Sequence, residues 1–242
     1  MNLADRLAMR ERPAGSPIMF QSWSKLLFLH WVIPESALRP HLPDRLTIDT
    51  FDGKAWVGLT PFTIRDTRPI FTPSIPWLSH FHEINVRTYV CLDGLPGVWF
   101  FSLDANSRLA VKVARTLFHL PYQTARITLE QQDKTIHYVC ARSEARPPAE
   151  FNGTWSIGDD LPPAQPGSLA FFLTERYCLY AENRGKLYRS RIHHKPWPLQ
   201  VASVSSLRST MIESDGLPGP TGEPLLYCGG PVHTEVWPLE KV

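Results

Sequence analysis

The chain has 242 residues, 43% of them hydrophobic and 20% charged, with eight Trp, seven Tyr and twelve Phe. That composition supplies a large buried core and excludes disordered, fibrous and collagen-like chains. A net charge of +2 is too small to argue for nucleic acid, and the longest apolar run, Leu26–Ile33, is interrupted by His30 and far short of the roughly 20 residues needed to span a membrane.

The first residues, MNLADRLAMRERP, carry acids and no apolar stretch, so a secretory signal is not expected. Pro34 then opens a short helix over 35–41. Residues 54–66, 80–92 and 98–104 read as strands, with Asp52-Gly53 and Asp93-Gly94 as hairpin-type turns. A helix follows over 106–118, capped by Asn106 or Ser107, with Leu109, Ala110, Val113, Ala114 and Leu117 as its apolar stripe. Asp104, just ahead of it, is expected to act as a cap as well. Strands at 122–130 and 135–142, a helix at about 168–174, a hairpin of 176–182 and 186–193 turning at 183–185, and a last strand at 232–239 complete the chain. The 23 prolines favour many short elements. With no repeat, low-complexity tract or linker, one domain over 1–242 is expected, of β-rich α+β class. So many strands against three helices predict a closed or strongly curved sheet.

The most informative strand is HFHEINVRTYV, residues 80–90. Alternation puts Phe81, Glu83, Asn85, Arg87 and Tyr89 on one face and Ile84, Val86 and Val90 on the other. Glu83 and Arg87 lie about 13 Å apart along such a strand, too far to pair, so each needs a partner from elsewhere. A solvated face seldom carries Phe and Tyr as well, and the row is read as the lining of a polar cavity. HLPYQTARITL at 119–129 shows the same alternation, with Tyr122, Thr124, Arg126 and Thr128 on a face opposite Ala125, Ile127 and Leu129. If both rows look inward, Tyr122 meets Glu83.

Two further cations are candidates for binding an anion. Arg115 lies on the 106–118 helix near Arg108 and Lys112, and Arg176 opens the basic hairpin TERYCLYAENRGKLYRSRIHHKPWPL. Lys112 reads as a solvated side chain. That hairpin's cations and aromatics could follow a nucleic-acid backbone, but a lone charged ribbon is better read as a protected sheet edge. No metal site is expected: His193 and His194 point to opposite faces of a strand, His80 and His82 lack a third ligand, and there is neither H-E-x-x-H nor a Cys pair. No G-x-S-x-G elbow, P-loop or dinucleotide fingerprint appears, so no cofactor is expected. Cys91, Cys140, Cys178 and Cys228 are widely spaced among apolar neighbours, as reduced buried thiols are, which suggests a cytoplasmic location.

Six ordered motifs span nearly the whole chain: HW-x-x-P-x-x-x-L at 30–38, FHEINVRTYV at 81–90, VWFFSLDA at 98–105, LPYQTA at 120–125, LTERY at 173–177 and HKPWPL at 194–199. Together they resemble the YqjF-like family, a bacterial domain of unknown function placed in the acetoacetate decarboxylase-like superfamily. The resemblance implies a curved antiparallel β-barrel with a few short helices and a central polar cavity. Decarboxylases of that superfamily form a Schiff base on a lysine whose pKa is lowered by an adjacent lysine and by burial. Glu83 matches their glutamate in its aromatic-x-Glu context. The turn before their lysines matches 119–121, which places the two lysine positions on Tyr122 and Gln123, neither able to form an imine.

The combined expectation is a cytosolic protein whose barrel cavity binds a small anionic or carbonyl-bearing molecule through Glu83, Asn85, Arg87, Tyr89, Arg115, Tyr122 and Arg176, without Schiff-base chemistry. The alternative is a lyase, hydratase or isomerase acting on a keto or hydroxy acid, with Glu83 as general base and Tyr122 as acid or oxyanion donor. Neither nucleic acid nor membrane is an expected partner, and a homo-oligomer is compatible with either reading.

Overall fold

The computed structural model describes residues 3–74, 79–143, 145 and 147–242. In chain order its elements are α1 (Leu3–Ala8), β1 (Met19–Ser24), β2 (Leu26–Ile33), α2 (Glu35–Leu38) with a 3-10 turn (Arg39–His41), β3 (Thr47–Ile48), β4 (Ala55–Pro69), β5 (Phe81–Leu92), β6 (Leu95–Ala105) and α3 (Arg108–Leu117). There follow β7 (Tyr122–Gln132), β8 (Thr135–Arg142), β9 (Glu150–Asp160), α4 (Leu169–Thr174), β10 (Cys178–Asn183), β11 (Lys186–His194), β12 (Leu199–Ser209), α5 (Met211–Ser214), β13 (Leu225–Gly229), β14 (Val232–Val236) and β15 (Glu240–Lys241). Among the described residues no helix is long and apolar enough to cross a membrane, and Cys91, Cys140, Cys178 and Cys228 are free thiols.

The strands form one continuous, mostly antiparallel sheet whose pairings close two rings. One ring runs β1, β14, β11, β10, β6, β5, β4 and back to β1; the other runs β6, β7, β8, β9, β12, β13, β2, β4, β5 and back to β6. Strands β4, β5 and β6 belong to both and form a common wall.

Each outer wall strand forks. Strand β4 pairs with β2 as far as Leu59 and with β1 from Thr63 onward. Pro61, which has no N–H to give, falls in the gap between the two pairings, where a proline inside a sheet does least harm. Strand β6 pairs in parallel with β10 at Val98 and Trp99 and in parallel with β7 at 103–105. Between those stretches Arg87 faces Phe100 and Val86 faces Ser102 across β5 and β6, leaving Phe101 as an extra, bulged residue. These two parallel contacts are the departure from an all-antiparallel barrel.

Local chemistry accounts for the joints. Asp93-Gly94 and Arg184-Gly185 link their hairpins with positive φ at both residues, as does Asp52-Gly53 across the Phe51–Lys54 bridge; this is the type I′ geometry that suits right-twisted strands. Ser107 caps α3 by accepting the Ala110 N–H. Asp104 does not cap it: it is fully buried and takes two hydrogen bonds from Arg142, at 2.8 and 2.9 Å, while Arg142 also reaches Asp215 at 2.9 Å. The stripe expected on α3 is also redistributed. Val111 is buried, Ala110 and Ala114 are half-buried, and Leu109, Val113 and Leu117 are exposed.

The nine-strand ring is filled. Leu27, Leu29, Val57, Leu59, Ile84, Val86, Ile136, Tyr138 and Trp155 form its continuous apolar core, each large side chain contributing roughly 1.5–3 kcal/mol by burial. The seven-strand ring carries a mixed lining and holds a pocket.

Candidate functional site

Strand β5 answers to both rings. Ile84, Val86 and Val90 enter the filled core, whereas Phe81, Glu83, Asn85 and Arg87 line a pocket of about 140 Å³ in the seven-strand ring. All seven strands of that ring contribute lining residues, and α3 covers the pocket with Ala110, Val113 and Ala114. Small residues on that face of the helix leave the space beneath it open.

The pocket's polar groups lie mainly on the common wall, and the rest of its lining is mostly apolar. Glu83 is 2% exposed and accepts a hydrogen bond of 2.6 Å from the Tyr122 hydroxyl; the Asn85 amide nitrogen lies 3.5 Å from its other oxygen. Burial pushes the Glu83 carboxyl up to about 7, against the hydrogen bonds from Tyr122 and Asn85, which favour the ionised form. Burial and the facing Glu83 carboxylate raise the Tyr122 phenol well above its ordinary value, so it stays protonated and donates.

Beside this pair stand groups without partners. The Asn85 amide oxygen, the Thr60 hydroxyl and the Arg87 Nε are buried with no hydrogen bond, and no carboxylate among the described residues lies within ion-pair distance of Arg87. The Arg87 guanidinium lies over the Phe28 ring, 5.3 Å from its centre. Thr60 faces Asn85 across β4 and β5, and Gly58 faces Arg87. A Cβ at Gly58 would stand 3.4 Å from Arg87 Cγ and 3.2 Å from the His30 ring, so glycine gives the arginine its room. Each such orphan is unfavourable by about 1–3 kcal/mol unless a ligand or water meets it.

The other expected site residues lie elsewhere. Tyr89 shares the polar face of β5 but sits beyond the pocket, where its hydroxyl donates to the Leu173 carbonyl and lies 2.6 Å from His30 Nε2. Burial, then the charges of Arg87 and Arg176, hold His30 well below its ordinary pKa. It is therefore neutral, with Nε2 protonated toward Tyr89 and Nδ1 bare. Arg176 is buried against Asp49 at 2.7 Å and stacks over the Tyr89 and Phe172 rings. Arg6 makes a second ion pair to Asp49, and the two arginines hold that carboxyl below the usual range although burial alone would raise it. Arg115 points away from the pocket and donates to the Tyr122 carbonyl at 2.6 Å and to the Gln123 side chain.

Among the described residues no lysine lines the pocket. Of the two positions that the sequence resemblance aligns with lysines, Tyr122 faces Glu83 and Gln123 is engaged by Arg115. Lys112 is exposed on α3. Thr60 escapes a reading of the sequence; it is a lone polar residue in the run AWVGLTPF, and its parity with Gly58 and Phe62 is the signal that marks its face.

Known proteins share this architecture. The chain is 41% identical to the uncharacterized protein YqjF of Bacillus subtilis over 229 residues, covering 95% of this chain and 94% of that protein. Among solved structures it resembles the enduracididine biosynthesis enzyme MppR complexed with pyruvate, with a TM-score of 0.66 and 10% identity over 96% of this chain and 93% of that one. An acetoacetate decarboxylase-like enzyme from Sphingomonas wittichii matches with a TM-score of 0.64 and 11% identity over 94% of each chain. At such identities the likeness is one of fold, the acetoacetate decarboxylase-like fold. The model of a family of uncharacterized conserved proteins matches residues 20–233, and with the YqjF identity this shows that the chain belongs to that family, DUF2071.

Proposed function

We propose that the seven-strand ring binds a small anionic or carbonyl-bearing molecule in the cytoplasm and that Glu83 and Tyr122 can move a proton on it, without Schiff-base chemistry. The observation that carries the reading is Arg87, with no carboxylate partner and its Nε unpaired, beside the Glu83–Tyr122 pair in one pocket. Among the described residues Arg87 is the one cation of the pocket lining, and it has no carboxylate partner to compete with a ligand's; a carboxyl poised near 7 suits a general acid or base at neutral pH. The pyruvate named with MppR is an anion of this kind. With tyrosine where a lysine would stand, the chemistry left is proton transfer, as in a lyase, hydratase or isomerase.

Two measurements on the purified protein test this. Titration calorimetry with short carboxylic acids is expected to show binding that Arg87→Met weakens at least tenfold. Borohydride treatment in the presence of pyruvate or acetoacetate is expected to leave every lysine unmodified by mass spectrometry. A lysine adduct, or an Arg87→Met protein that binds as wild type does, overturns the reading.

A further inference from the structure

We infer that the ligand of this pocket is a 2-hydroxy acid with an apolar body, in preference to the corresponding 2-oxo acid. The inference rests on the proposed anion-binding role of Arg87 and follows from counting which hydrogen-bonding atoms remain uncommitted.

The donors near the common wall are few. The Tyr122 hydroxyl is given to Glu83, the Asn85 amide nitrogen is turned to Glu83, and the Trp23 indole N–H is given to Gln21. The Arg87 Nε–H, which has no partner, is left for a carboxylate. Beside it stand an unpaired acceptor, the Asn85 amide oxygen, and an unpaired hydroxyl, that of Thr60, directly opposite on the neighbouring strand; a second unpaired hydroxyl of the lining, that of Thr67, lies seven residues further along β4. Residues two apart on a strand are about 6.6 Å apart, so a carboxylate held by Arg87 carries its C2 substituent toward Asn85 and Thr60.

A hydroxyl there satisfies both, donating to the Asn85 oxygen and accepting from Thr60. An oxo oxygen accepts from Thr60 and leaves the Asn85 oxygen buried and facing another acceptor. A hydrogen at C2 satisfies neither. Sites built to pair a substrate hydroxyl discriminate strongly against analogues without it, because the protein's own polar groups are then stranded. Apart from Gln21 and Thr67 the rest of the lining is largely apolar: Phe62, Ile64, Leu103, Leu179, Ile192 and Val236 offer nothing polar to a ligand tail.

Three acids with one carbon skeleton make the test: 2-hydroxy-4-methylpentanoate, 2-oxo-4-methylpentanoate and 4-methylpentanoate, titrated by calorimetry against the full chain. The hydroxy acid is expected to bind at least tenfold more tightly than the other two. Thr60→Val, which keeps the shape of the side chain, and Asn85→Leu are each expected to shrink that preference to threefold or less while binding 4-methylpentanoate no more weakly than wild type. Equal or tighter binding of the oxo acid overturns the inference and leaves the anion-binding reading standing. A preference that survives both substitutions also overturns it, and failure of all three acids to bind removes both.

Discussion

With its carboxyl at about 7 against an ordinary 4.5, Glu83 holds a proton in the folded chain that the unfolded chain gives up between those values. The folded state binds more protons across that window, so this group makes stability fall as pH rises from about 4.5 through about 7. The shift corresponds to about 3 kcal/mol above pH 7. Glu83→Gln keeps an acceptor for Tyr122 and removes the titration. Its urea-unfolding free energy is expected to match wild type near pH 4 and exceed it by about 3 kcal/mol near pH 8; parallel stability curves at the two pH values would refute the buried-acid account. Period-two alternation makes Glu83, Asn85 and Arg87 legible as one face. It cannot fix depth along the strand, which is why Tyr89, of the same parity, lies past the pocket. Nor does a local pattern show that Arg176 is claimed by Asp49, 127 residues away.

At the level of elements, the approach to α3 separates two acceptors that look alike in sequence. Ser107 satisfies a free helix N–H, and Ser107→Ala is expected to destabilise by about 1 kcal/mol. Asp104 balances the largely buried Arg142, and Asp104→Ala, which strips that guanidinium of its bidentate partner, is expected to cost roughly 3–5 kcal/mol. Comparing the two urea midpoints decides it, and equal losses would return Asp104 to a capping role. Helix α3 also shows where reading by period stops. Its apolar residues fit a helix, but the face turned inward is the one with small side chains, because it roofs a space instead of packing into a core. Strands β2 and β12 escape a pattern reading for opposite reasons. Strand β2 is apolar without alternation, since both its faces are covered. Strand β12, LQVASVSSLRS, has little of the β-branched and aromatic content that marks a strand.

For the whole molecule, the common wall explains why the pattern of β5 is ambiguous in sequence: a polar face normally means water, and here it means a second enclosure. Both faces of β5 are covered and both its edges are paired along most of its length, so its amides are expected to be among the slowest to exchange with solvent, slower than those of β14 or β15, as hydrogen exchange with mass spectrometry would read. Ring closure has a further consequence for synthesis. The wall hairpins join near neighbours, such as Phe62 with Glu83, but the strands that shut the two rings, β13 against β2 and β14 against β1, lie beyond residue 224. A chain emerging from the ribosome therefore carries the open edges of β1, β2, β11 and β12 until residues 225–236 are free, and unpaired edges of that kind recruit other chains. A nascent chain stalled or cut just short of Leu225 would hold every wall strand and would still expose all four edges.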